Sequence, residues 1–265
     1  MLKDAVLRFL PRPMRDSIAL GMERRALAAL PLRRCSAERL RDTPPPMVDW
    51  PEWDEVTRKA SALGATPGAV NLGDRRAIYS LTRTLKPRSV LEIGTHLGGS
   101  TVMFALALQH GGQDGRLTTV DILDVNGPQG AWATYGTRPP KQLVTDVGCA
   151  DIVTFMSSPS VDFMRACKQK FDLIFLDGGH EAQTVYQEVP LALEILEDNG
   201  VILLHDYYPE LKALWSDGAV IPGPVLAIER FKQEGARIRV QPLGNLPWPT
   251  KLGSSITSLA YLVRA

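Results

Sequence analysis

The run from Ser89 to Leu108, SVLEIGTHLGGSTVMFALAL, constrains this chain most, because it joins a short apolar strand to an apolar helix through a glycine-rich turn. Ser89 to Ile93 lacks polar alternation, as a parallel strand covered on both faces requires, and Lys86-Pro87-Arg88 bounds it. Gly94, Gly98 and Gly99 let the backbone turn sharply and approach a ligand where a Cβ would clash. A helix from about Ser100 directs its unpaired N–H groups at whatever lies over the turn, which suits an anion. The alternative is a strand–helix packing turn with no ligand.

The spacing, E-x-G-x-x-x-G from Glu92 through Gly94 to Gly98, differs from the G-x-G-x-x-G of dinucleotide enzymes. A pyrophosphate needs a second close-approach glycine. S-adenosylmethionine instead presents one carboxylate, an ammonium and a sulfonium, and an acid at Glu92 is compatible with those cations. LTTVDI then reads as a second strand ending in Asp121, placed to accept hydrogen bonds from ribose hydroxyls. It lies 27 residues beyond Gly94 (121 − 94), against about 20 in the dinucleotide pattern, and the polar loop around Gly111 to Gly115 absorbs the excess.

Composition bounds the answer in the same direction. With 265 residues, 45% hydrophobic and 22% charged, the chain has room for one sizeable α/β domain plus a small appendage, and a net charge of +1 argues against a dedicated nucleic-acid binder. Cys35, Cys149 and Cys167 are odd in number and unpatterned, which excludes a disulfide framework and fits a reducing compartment, so a cytoplasmic location is expected. No apolar run approaches the roughly 20 residues of a transmembrane span. The first 41 residues hold ten Lys/Arg against four Asp/Glu. With Val6, Leu7, Phe9 and Leu10 and a helical run Ile18 to Leu30, they read as a basic helical extension that packs on the main domain or on a partner subunit in a homo-oligomer, caps the active site, or makes weak peripheral membrane contact. Thr43-Pro44-Pro45-Pro46 is a stiff linker. The expected division is an extension over 1–46 and a catalytic domain over 47–265. Trp53, Val56, Ala60 and Leu63 mark one helix, and Ile78, Leu81 and Leu85 another.

The second half alternates strand and helix: Ile152 to Met156, Val161 to Lys168, Phe171 to Leu176, Glu181 to Leu196, Gly200 to Leu204. Pro190 should kink or divide the long helix. A helix from Val225 to Lys232 and strands over Ala236 to Leu243 and Ser258 to Arg264 follow. The expected fold is α/β: a doubly wound, Rossmann-like, seven-stranded, mostly parallel sheet with an antiparallel last strand, and ligands at the carboxyl ends of its strands.

Three such ends carry chemistry. FDLIFLDGGH places Asp177 past one strand and His180 three residues on; VILLHDYY places His205, Asp206 and Tyr207 past the next. Asp177 and Asp206 on neighbouring strands suit Mg²⁺ or Mn²⁺, or else act as strand-end caps bonded to loop amides. His180 is a general base or a solvated helix-start residue, and His205 a metal ligand or a buried hydrogen-bonded histidine. His96 is expected to line the cofactor site, and His110 to be a surface helix end.

LEIGTHLGGS, TTVDI, FLDGGH and ILLHDYY together resemble the class I S-adenosylmethionine-dependent O-methyltransferases over about Val70 to Ala265, particularly the group that methylates hydroxyls of sugars and natural-product glycosides. His180 falls where catechol-type relatives place a basic lysine, and Asp206 where they place a second metal acid; His205 stands where the sugar-modifying relatives commonly carry a carboxylate. The resemblance implies that Gly94 and Thr95 contact the amino-acid part of S-adenosylmethionine, Ser100 its carboxylate and Asp121 its ribose. Ser157 and Ser158 would lie near adenine, and Asp177 would serve the methionine amino group or the metal. It further implies methyl transfer to a small-molecule or glycoside hydroxyl in natural-product biosynthesis, with His180 as base. Two readings stay open beside it: a nicotinamide-dependent oxidoreductase and a non-catalytic cofactor-fold assembly protein. Leu123 to Val147, with Trp132, Tyr135 and Arg138, and the loop Tyr207 to Pro224 are expected to shape the acceptor pocket.

Overall fold

The computed structural model describes residues 12–60 and 70–265, so Val6, Leu7, Phe9, Leu10 and Leu63 lie outside the described residues. The elements in chain order are α1 (Arg12–Ala28), α2 (Trp53–Lys59), α3 (Leu72–Leu85), β1 (Ser89–Ile93), α4 (Gly99–Gly111), β2 (Arg116–Asp121), α5 (Ala131–Tyr135), α6 (Pro140–Asp146), β3 (Val153–Ser157), α7 (Ser160–Ala166), β4 (Phe171–Leu176), α8 (Ala182–Glu194), β5 (Leu196–Leu204), α9 (Gly223–Gln233), β6 (Ile238–Pro242) and β7 (Ala260–Arg264). Seven strands form one sheet in the order β3-β2-β1-β4-β5-β7-β6. β1 to β5 pair in parallel, and β7 runs antiparallel to both β5 and β6, as the strand pattern anticipated.

Each face of the sheet buries its own apolar layer. Leu91, Ile93 and Ile174 pack against Tyr186 and Val189 of α8 and Phe231 of α9. Val90, Leu173 and Phe175 pack against Ile78 of α3 and Phe104 of α4 on the other face. That double cover explains why β1 and β4 carry no polar alternation. Among the described residues no helix is long and apolar enough to cross a membrane.

Several boundaries differ from the sequence pattern. β5 begins at Leu196 rather than Gly200, with a register irregularity opposite Phe171 and Leu173, and α1 begins at Arg12. α8 runs through Pro190 to Glu194 without division. The segment after β2 holds two short helices, α5 and α6, which the sequence pattern did not mark. His110 is half-buried, with Nδ1 2.8 Å from the Tyr79 hydroxyl, so it is no free surface helix end. α1 lies against α8 and α9, with Leu27 buried.

Candidate functional site

The sheet order reverses direction between β1 and β4, and there the carboxyl ends of the strands open into a cleft of about 930 Å³. This is where a doubly wound sheet is expected to hold a ligand. Gly94 follows β1 with φ +99°, and an added Cβ would lie 2.1 Å from the Asp177 carbonyl oxygen, so only glycine fits between the two strand ends. Its N–H donates to Val120 O at 2.8 Å. His96, two residues on, has φ 45°, a left-handed conformation uncommon for a residue with a side chain. The strain aims its N–H at Asp121 Oδ2, 2.9 Å away, while Leu123 N–H donates to Oδ1 at 3.0 Å. Two backbone donors thus fix the Asp121 carboxylate at the cleft wall, with acceptor capacity left for hydroxyls.

Glu92 takes a different place from the one expected. It is wholly buried beneath the turn, away from the cleft lining, where Oε2 accepts from Thr101 Oγ1 and Thr119 Oγ1, both at 2.6 Å. Burial pushes its carboxyl up to about 7, against the hydrogen bonds from Ser100, Thr101 and Thr119. It ties β1, β2 and the first turn of α4 together, so it shapes the turn without facing a ligand. Ser157 also departs: it ends the edge strand β3 with its side chain exposed, and Ser158, whose N–H donates to Asp121 O at 2.8 Å, lines the cleft instead. Thr95, His96, Ser100, Asp121, Asp177, His180, His205 and Asp206 all line it.

At the far side of Gly94, four chemistry-bearing side chains converge. His180 Nε2 lies 3.0 Å from Asp206 Oδ2 and 3.8 Å from Asp177 Oδ1. His205 Nδ1 lies 2.9 Å from Asp177 Oδ1 and 3.5 Å from Asp206 Oδ1, and its Nε2 is 3.2 Å from Asp74 Oδ2. Asp206 has φ 52°, a second strained residue at a strand end. The Asp177 and Asp206 carboxylates hold the His180 imidazolium up to about 10, against the opposing effect of burial. Burial likewise opposes charge on His205, yet Asp177 and Asp206 outweigh it and keep this group well above the usual histidine range. Burial would raise Asp206, but the charge of His205 and the hydrogen bond from His180 pull it well below the usual carboxylate range.

One ligand atom each from Asp177, His180 and Asp206 can be chosen so that all lie within 4.8 Å of one another, a span suited to a single small cation. His205 Nδ1 is buried beside them with no aligned hydrogen bond, while Asp74 holds the opposite ring nitrogen. A carboxylate on the far nitrogen is the arrangement that presents an imidazole lone pair to a metal. The residues present therefore fit a divalent cation.

Sequence reasoning missed Asp74. It is fully buried at the third position of α3, donating its N–H to the Asn71 cap and accepting from Thr257 Oγ1. Asn71 to Asp74, NLGD, is readable as a helix start, but the reach to His205 is long-range. Of Trp132, Tyr135 and Arg138, expected around the acceptor, Tyr135 lines the cleft, whereas Trp132 donates to Gly127 O and Arg138 pairs with Asp146, both outside the lining; Trp215, in the loop after β5, lines it as well. Tyr208, Ile221, Lys251 and Ser258 complete that end.

Residues 91–207 match the family model described as a methyltransferase domain. A curated relative, the O-methyltransferase hkm8 of Aspergillus hancockii, is 25% identical over 129 residues, which takes in 49% of this chain and 46% of that protein, so the match spans about half the relative's length. Among solved structures, the O-methyltransferase TomG of Streptomyces achromogenes, involved in tomaymycin synthesis and bound to S-adenosylmethionine, superposes with a TM-score of 0.53 at 16% identity over 83% of this chain and 92% of that one. The O-methyltransferase of Bacillus cereus in complex with S-adenosylhomocysteine superposes with a TM-score of 0.56 at 20% identity over 80% and 90%. At these identities the likeness is one of fold. Domain match and fold together bear out the resemblance read from the sequence, to the class I S-adenosylmethionine-dependent O-methyltransferases.

Proposed function

We propose that this protein transfers the methyl group of S-adenosylmethionine to a hydroxyl of a small molecule, a vicinal diol on a sugar or glycoside, whose two neighbouring oxygens would suit a cation held by Asp177 and Asp206. The observation that carries the reading is the convergence of Asp177, His180, His205 and Asp206 in the same cleft as the Gly94 turn, the α4 N-terminus and Asp121. The cofactor's carboxylate would meet the start of α4 beside Ser100, and its ribose hydroxyls would donate to Asp121.

The acceptor end must present an oxygen to the methyl group and remove its proton. His180 is the group for that, being half-exposed at the cleft wall, but as an imidazolium held by two carboxylates it cannot take a proton near pH 7. It becomes a base when Asp177 and Asp206 spend their charge elsewhere. A bound Mg²⁺ or Mn²⁺ would accept that charge and lower the pKa of the acceptor hydroxyl. Asp177 and Asp206 would be its ligands, with His205 adding a softer donor that admits Mn²⁺, while His180, the third member of the cluster, would stay off the cation to take the proton. Base and cation are thus one proposal.

The test is transfer of isotopically labelled methyl from S-adenosylmethionine to methyl glucosides, free hexoses and aromatic diols, with and without chelator. Label in a diol that disappears on chelation and returns with Mg²⁺ or Mn²⁺ is the expected result. Full turnover by thoroughly chelated enzyme would refute the cation and, with it, the neutral His180.

A further inference from the structure

The β4–α8 connection, Asp177-Gly178-Gly179-His180-Glu181, carries the proposed base on a turn that begins with two glycines and leaves the His180 side chain 47% exposed. Upstream, Gly94 packs against the Asp177 carbonyl oxygen and fixes the start of the turn, and Asp206 and Asp177 hold the tip of the ring. What remains to be fixed is the backbone downstream of His180.

Two remote elements fix it. Glu181, the residue before α8, caps the helix with no side-chain hydrogen bond of its own. The N–H of Ala182, one of the unpaired donors at a helix start, donates instead to Oε2 of Glu23 at 2.7 Å, across 159 residues from the middle of α1. The carboxylate also sits at the positive end of the α8 dipole. On the other side Gly223, the first residue of α9, is pressed against the His180 carbonyl oxygen so closely that a Cβ there would lie 1.9 Å from it.

α1 cannot swing away freely from this contact. Arg230 of α9 donates to Leu30 O at 2.7 Å and also to Leu27 O, and the N–H of Arg33 donates to the Tyr186 hydroxyl at 3.0 Å. The helix of the basic N-terminal extension is thereby clamped to α8 and α9, with Glu23 reaching past them to the turn.

We infer that Glu23 is a positioning residue for His180: the N-terminal extension latches the β4–α8 turn through the Ala182 amide and so sets the distance between His180 and Asp206. The inference rests on the role proposed for His180, and concerns placement of the ring, which has its own readout. Cofactor binding should be spared, because Gly94, Ser100 and Asp121 stand on other strand ends.

The test compares Glu23→Ala with Glu23→Gln in the full chain, the glutamine keeping an oxygen that accepts from Ala182. Ring nitrogen spectra of histidine-labelled protein report on His180 directly, its signal being assigned by its loss in His180→Gln. In Glu23→Ala that signal should shift or broaden, and in Glu23→Gln it should coincide with the wild type. With an acceptor that turns over, Glu23→Ala should lower kcat about tenfold or more while KM for S-adenosylmethionine and affinity for S-adenosylhomocysteine hold. An unmoved His180 signal in Glu23→Ala, or an unchanged kcat, overturns the latch. A wild type that binds no S-adenosylhomocysteine sinks the transfer reading, and the ring signal then decides the latch by itself.

Discussion

His180 is pulled in two directions. As a base it must be neutral, yet Asp206 at 3.0 Å and Asp177 at 3.8 Å hold it protonated up to about 10. The sign of the resulting pH effect is fixed: the base form of a histidine so raised appears only as pH climbs through about 10, whereas the metal-loaded enzyme should have it near neutrality. Residual turnover in chelated enzyme should therefore rise steeply from pH 8 to 10, and the Mg²⁺-loaded rate should level off earlier; a chelated rate flat over that range would contradict the assignment. His180→Ala should cost about 10²-fold or more in kcat with S-adenosylhomocysteine affinity retained, since general-base catalysis contributes roughly 10² to 10⁴. Loss of cofactor binding alone would make His180 a wall and not a base. Asp177, His180 and Asp206 were readable in the sequence because strand ends dictate where such side chains go. Asp74 was not, because its partner His205 lies 131 residues away and no local pattern records the pair.

At the scale of elements, Glu92 shows why a motif can be legible while its role is not. The E-x-G spacing locates an acid next to the turn, but only the packing of β1 on β2 and α4 turns it inward, to Thr101 and Thr119. Its carboxyl is raised by burial to about 7 from an ordinary 4.5, so folding favours the neutral form. The stabilisation is complete below about pH 4.5 and lost as pH rises through about 7. Glu188 of α8, buried and hydrogen-bonded by Ser160, is raised to about 7 in the same sense. Glu92→Gln should therefore make the fall in Tm between pH 5 and 8 shallower than in the wild type, read by thermal unfolding; parallel curves would show that Glu92 is ionised in the fold. Element types were legible because buried parallel strands and amphipathic helices have distinct patterns. Two features escaped: α8 continues past Pro190 because tertiary packing holds it, and α5 and α6 are too short for periodicity to show.

The described residues form one sheet whose switch point gathers every group the proposed chemistry needs, with α1 lying against α8 and α9. The alternation of strands and helices made this architecture legible, whereas the acceptor end depended on short helices and a long loop with no sequence code. The division of labour across the cleft predicts that Asp206→Ala abolishes transfer while leaving cofactor affinity intact, a separation that turnover and calorimetry measure side by side. The proposed chemistry depends first on the bound cofactor, and calorimetric titration with S-adenosylhomocysteine reads that binding. The wild type should bind one molecule per chain, and Asp121→Ala should bind more weakly by over about 1 kcal/mol, because the lost acceptor is charged. No heat from the wild type, or equal affinity in Asp121→Ala, would contradict it.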